Sequence, residues 1–180
     1  MVILIAGATH TGKPLLSQEL LRRLSFPYTS IDHLKMGLIR SGFCRLTPES
    51  DDGELTAYLW PIVREMIKTV IENGQNLIVE GCYIPPDYQK DFSEDYLKQI
   101  RYVALIFSET YLHKHYIDIV RNAGLIENRQ ADTRPSMDLL IKDNHQVLNN
   151  CREYGLNYLM INDCYEFNWP ELLNLIVIPD

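Results

Sequence analysis

Short apolar runs alternate with longer helical repeats along the whole chain. Residues 2–6 are continuously apolar over a strand's length, and 14–24 follow with helical spacing. A second short strand is expected at 28–31 and a helix at 33–40. Residues 42–53, with Gly42, Pro48, Asp51, Asp52 and Gly53, read as a loop. The clearest helix spans 54–73: Leu55, Tyr58, Leu59, Ile62, Val63, Met66, Ile67, Val70 and Ile71 recur at three- and four-residue spacing. Pro61 inside that repeat predicts a kink or a helix start, and Asn73-Gly74 ends the helix.

The alternation continues to the C-terminus. Strands are expected at 77–79, 102–107 and 158–161, and helices at 109–121, 136–154 and after Pro170. Between the last two strands, 122–135 is polar and carries arginine. Strands separated by helices predict an α/β fold in which a parallel sheet has helices on both faces. In such sheets ligands sit beyond the carboxyl ends of the strands, where Gly7, Asp32 and Glu80 fall.

Composition narrows the class. One domain spanning 1–180 is long enough to bury its own core, and 46% hydrophobic with 23% charged residues is ordinary for a soluble protein. A net charge of -7 argues against general nucleic-acid binding, though a local basic pocket could still hold a small anion. Cys44, Cys82, Cys151 and Cys164 form no C-x-x-C pair and read as free thiols in a reducing cytoplasm. No apolar run reaches membrane-spanning length, and the first one has no basic leader, so no membrane partner and no signal peptide are expected. The five histidines have no ligand spacing, and oligomeric state is left open.

The chemistry concentrates first in Gly7-Ala8-Thr9-His10-Thr11-Gly12-Lys13, a G-x-x-x-x-G-K run between the first strand and the first helix. That order lets backbone N–H groups and a helix N-terminus converge on an anion, and Lys13 adds a positive charge at the outer phosphates of a nucleotide. Position 14 breaks the pattern. Where Ser or Thr would hold magnesium, the chain has Pro14, which lacks both the hydroxyl and a backbone donor. Without a ligand, the same residues would make a glycine-rich turn in which Pro14 starts the helix.

Asp32 follows the second strand, where a carboxylate can accept the hydrogen bond of an attacking hydroxyl. It could equally cap the following helix. Glu80 ends the third strand, where a carboxylate can hold magnesium directly or through water, or cap the loop. Arg121, Arg129 and Arg134 frame the late polar loop, as neutralisers of phosphoryl charge or as solvated side chains. Arg40 and Arg64 lie on the two helices that would border an acceptor, and an anionic acceptor would want at least one of them.

On the loop at Gly7 to Lys13, Ser30-Ile31-Asp32-His33, Ile78-Val79-Glu80-Gly81 and the late arginines, the chain resembles the P-loop small-molecule kinases. These include the adenylate, shikimate and gluconate kinases and the zeta-toxin type. The likeness is strongest to small bacterial adenylate-kinase-like or 2-phosphoglycerate-kinase-like proteins. The resemblance covers nearly the whole chain. It implies a three-layer fold around a five-stranded parallel sheet in the order 2-3-1-4-5, a lid at 122–135, and phosphoryl transfer from ATP with Mg2+. It also implies a small-molecule acceptor bound at Asp32, with Arg40, Arg64 and Glu80 around it. Gly81-Cys82-Tyr83-Ile84-Pro85 echoes the D-G-[FY]-P-R segment of adenylate kinases, but no arginine follows, which weakens a nucleoside-monophosphate acceptor. Two functions remain open: a kinase for a small metabolite, and a nucleotide-binding protein whose transferase activity Pro14 has weakened or removed. A polynucleotide-end kinase is disfavoured by the acidic charge.

Overall fold

The computed structural model describes residues 1–122 and 135–176. Five parallel strands make one sheet: β1 (Val2–Gly7), β2 (Tyr28–Ser30), β3 (Leu77–Glu80), β4 (Ile100–Phe107) and β5 (Tyr158–Ile161), in the order 2-3-1-4-5. β1 is central, paired with β3 from Val2↔Leu77 to Ile5↔Glu80 and with β4 from Val2↔Ile100 to Gly7↔Leu105. All six of its residues are buried, which is why that run is apolar without alternation.

Successive side chains of β1 point to opposite faces, and each face meets its own helical layer. Val2, Leu4 and Ala6 pack with α3 (Asp52–Glu72) through Leu55, Leu59, Val63 and Ile67. Ile3 and Ile5 pack with Leu16 and Leu20 of α1 (Lys13–Leu24) and Leu172 and Ile176 of α7 (Trp169–Ile176). Between these come α2 (Ile31–Arg40), α4 (Glu94–Leu97), α5 (Glu109–Asn122) and α6 (Met137–Tyr154). The result is the expected three-layer α/β arrangement with the expected strand order.

Several local expectations change. α2 begins at Ile31 with Ser30 as its N-cap, so Asp32 lies inside the first turn and does not cap the helix. α3 begins at Asp52, two residues early, because Asp51 caps it: its Oδ1 accepts from the N–H groups of Gly53 (2.8 Å) and Glu54 (3.3 Å). Pro61 neither starts nor ends α3, which runs through it for 21 residues. The packed stripe on either side outweighs one lost helical hydrogen bond. Pro170 falls within the C-terminal helix, which opens at Trp169.

Between β3 and β4 the sequence pattern predicted no element. A 3-10 turn (Tyr88–Asp91) and the short α4 are held there by aromatic packing. Tyr88 stacks on Tyr102 (5.4 Å), and Phe92 meets Trp60 edge-on (6.1 Å). Apart from Asn122 and Pro135, the expected lid lies outside the described residues, as do Arg129 and Arg134. Among the described residues no helix is long and apolar enough to cross a membrane.

Candidate functional site at the end of β1

The turn from β1 into α1 needs residues that tolerate positive φ. Gly7 has φ +140°, and a Cβ there would lie 2.4 Å from the Leu105 carbonyl of β4. His10 (φ 63°) and Gly12 (φ 80°) are left-handed. Gly12 is the N-cap of α1, with Pro14 in the first turn, so the open amides of the helix face the loop.

Lys13 is 4% exposed and folded back into its own loop. Its Nζ donates to the carbonyls of Ala8 (2.8 Å) and Gly7 (3.2 Å). Thr11 is fully buried, and its hydroxyl donates to the Ala8 carbonyl at 2.8 Å. That hydroxyl is committed to holding the turn, so it does not replace the one missing at Pro14. Ser17, one turn into α1, is likewise used internally, donating to the Lys13 carbonyl at 2.9 Å. Thr9 and His10 stand half-buried at the tip of the loop.

Asp32 does not stand alone on α2. Lys35, one turn on, lies 2.6 Å from its Oδ1 and also donates to the Tyr83 hydroxyl at 2.9 Å. Burial opposes the charge on Lys35, but Asp32 and Tyr83 together outweigh it, and the ammonium titrates above its usual range. Tyr83, just past β3, is pushed up chiefly by burial, against the pull of Lys35. Asp32 and Tyr83 thus share one cation between α2 and the loop after β3.

Glu80 is the last residue of β3 and is 1% exposed. It pairs across the sheet with Ile5 of β1 and Ser30 of β2, so it stands on the strand next to the one that leads into Asp32, and beside the phosphate loop. Ser30 Oγ is buried there with no hydrogen-bond partner. Among the described residues no group of three His, Cys, Asp or Glu side chains converges to hold a metal.

A cavity of about 790 Å³ opens beside the loop, and Ala6 and Gly7 form part of its wall. Its other walls come from α3, the segment after β3, Tyr102 of β4, and α6. Arg64 of α3 lines it. Its Nε donates to Glu65 (2.7 Å), and its Nη1 lies 3.7 Å from Asp91 Oδ1. Asp91 also accepts from Trp60 Nε1 at 2.7 Å. Lys90, on the same wall, is paired with Asp87. Asp52 adds a third lining carboxylate, and its charge, after burial, helps push the Asp143 carboxyl of α6 upward. Arg40, in the last turn of α2, is exposed and is not part of the cavity. Arg121 is exposed near the end of α5.

Sequence reasoning missed Tyr165, Lys35, Asp91 and Trp60. Tyr165 follows β5, and its hydroxyl donates to the carbonyls of Thr11 (3.0 Å) and Gly12 (3.2 Å), more than 150 residues away. No local pattern marks such a contact. Lys35 was accessible in principle, since Asp32 and Lys35 are three apart on a predicted helix.

No protein-family model and no curated protein matches the chain. Solved structures do match, over nearly its full length. A shikimate kinase from Bacteroides thetaiotaomicron superposes with a TM-score of 0.56 at 19% identity, covering 97% of each chain. A sugar kinase from Janibacter sp. gives 0.56 at 12% identity, over 97% of this chain and 92% of that one. A gluconokinase from Sinorhizobium meliloti gives 0.50 at 13%, over 92% and 83%. The chain therefore has the fold of the P-loop small-molecule kinases, a five-stranded sheet in the order 2-3-1-4-5 with helices on both sides.

Proposed function

We propose that this protein is an ATP-dependent kinase that phosphorylates a hydroxyl group on a small metabolite. The observation that carries the reading is the shared wall: Gly7 belongs both to the phosphate loop and to the lining of the 790 Å³ cavity. A donor held by the loop and an acceptor held in the cavity would meet there. Proximity of that kind is most of what phosphoryl transfer asks of a protein.

The loop fits the phosphates of a nucleotide. Gly7 and Gly12 keep its backbone free of side chains, and the N-terminus of α1 supplies amides to an anion. Lys13 would exchange two loop carbonyls for phosphate oxygens, which a charged acceptor favours. The fit to magnesium is narrower. Pro14 offers no hydroxyl and Thr11 uses its own within the loop, so Glu80 would hold the ion through water, as hard cations that keep much of their hydration allow. Bound ATP would supply the phosphoryl group and the metal would offset its charge.

Asp32, which stands outside the lining of the cavity, would orient an acceptor hydroxyl that extends from it toward α2 and accept its hydrogen bond, with Lys35 fixing the carboxylate. Arg64 would border the acceptor, and Arg121, Arg129 and Arg134 would act from the lid. The partner expected is a small molecule rather than a nucleic acid or a membrane, and the cytoplasm is the expected compartment. Pro14 and the internally committed Thr11 hydroxyl favour one second reading, a nucleotide-binding protein with weak or no transferase activity.

The reading is tested by calorimetric titration with ATP and magnesium, on the parent and on Lys13→Ala. The parent should bind, and the variant should lose most of that affinity. Equal affinity in both would sink the phosphate-loop reading. Asp32→Asn should leave ATP binding in place while lowering turnover. Nucleotide binding without turnover of any acceptor would favour the second reading.

A further inference from the structure

We propose that Asp91 makes the cavity beside the phosphate loop a site for a hydroxyl-bearing acceptor that carries no carboxylate or phosphate. The inference rests on the kinase reading of that site and goes beyond it in naming the substrate class.

Two cations line the cavity among the described residues, Arg64 and Lys90, and both are already paired. The guanidinium of Arg64 lies between Glu65 on its own helix and Asp91 across the cavity wall. Lys90 is paired with Asp87. Asp52 is the third lining carboxylate, and no cation pairs with it among the described residues. Three carboxylates against two cations leave the lining net negative. An acid or phosphate entering it would have to displace Asp91 from Arg64 or Asp87 from Lys90, and would face Asp52 unrelieved. Like charges brought together in a cleft are repelled more strongly than in open water.

The wall also carries an acceptor that its own helix leaves unused. Pro61 has no N–H to give the Ala57 carbonyl one turn back, and both residues line the cavity. A carbonyl that has lost its helical donor, together with the carboxylates, suits a ligand rich in O–H or N–H groups. Asp91 holds its position because Trp60 Nε1 donates to Oδ2 while Oδ1 faces Arg64. It is therefore a specificity-determining residue: with Glu65, its charge offsets Arg64, the one arginine that lines the cavity among the described residues.

Cys82 provides a readout that needs neither nucleotide nor turnover. It is exposed and lines the cavity, whereas Cys44 and Cys151 are buried. With the other exposed thiol removed as Cys164→Ser, Cys82 is labelled by a cationic and by an anionic methanethiosulfonate of equal size. The cationic reagent should react about tenfold faster, relative to their ratio on free cysteine, as a cleft of one sign enriches its counter-ion. Asp91→Asn keeps an oxygen for Trp60 and should move that ratio several-fold toward the anion. Asp87→Asn should do the same through Lys90. Equal rates, or faster labelling by the anion, would overturn the proposal. ATP consumption is then compared with glucitol and with gluconate, which differ at one carbon by the carboxylate. A higher kcat/KM for gluconate would also overturn it. Failure of ATP to bind would remove the kinase reading and leave the charge preference at Cys82 standing on its own measurement.

Discussion

The hydroxyl of Tyr165 rests against Gly12. A Cβ added at Gly12 would lie 1.9 Å from the Tyr165 oxygen and 2.7 Å from its ring carbon. The same hydroxyl donates to the Thr11 and Gly12 carbonyls, so the segment after β5 braces the phosphate loop from outside. Burial pushes the Tyr165 phenol upward, which keeps it a donor throughout the physiological range.

Gly12→Ala should therefore be costly twice over. Alanine at φ 80° is strained by about 1 kcal/mol, and Tyr165 must also be displaced. Urea unfolding should report a loss of about 2–3 kcal/mol, with ATP binding weakened alongside. Tyr165→Phe, which removes only the two hydrogen bonds, should cost about 1 kcal/mol. The contact predicts non-additivity: Gly12→Ala should cost less in a Tyr165→Leu background than in the parent. Strict additivity would mean that the two residues do not constrain each other.

Pro14→Thr restores a hydroxyl and a backbone N–H where the sequence motif expects them. The helix start accepts either residue. Magnesium-ATP should bind more tightly by about 1–3 kcal/mol, or about 5- to 150-fold, with a smaller gain for ATP alone. Titration with and without the metal separates the two gains. An unchanged metal dependence would mean that Glu80 and water already meet the need.

Cys151 sits on the buried face of α6, and burial pushes its thiol from the usual 9.0 up to about 11. The folded protein then keeps its proton after the unfolded chain has lost it. The stabilisation is complete below pH 9.0 and is lost as pH rises toward about 11. Unfolding free energy should fall across that window by more in the parent than in Cys151→Ala. Matching slopes would show that the thiol is not protected by folding.

The sequence by itself determined the strand–helix alternation and the phosphate-loop turn. Val2 to Ile5 are buried on both faces and so must be apolar, and Gly7 and Gly12 occupy conformations that few other residues reach. Such constraints are local, and they leave a local trace. The sheet order, by contrast, was expected from resemblance alone, since no residue of β3 records that it lies between β1 and β2. Tertiary packing also decided what the site residues do. Asp32 became half of an ion pair with Lys35, Arg64 was neutralised by Asp91 from beyond β3, and Thr11 spent its hydroxyl on the turn. Charge and hydrogen-bonding capacity are carried by single side chains, but whether a group remains available for a ligand depends on its neighbours in space. Some of those neighbours are local, as Lys35 is to Asp32 and Ala8 to Thr11, but Asp91 beside Arg64 and Tyr165 beside Gly12 come from parts of the chain that no pattern of spacing connects.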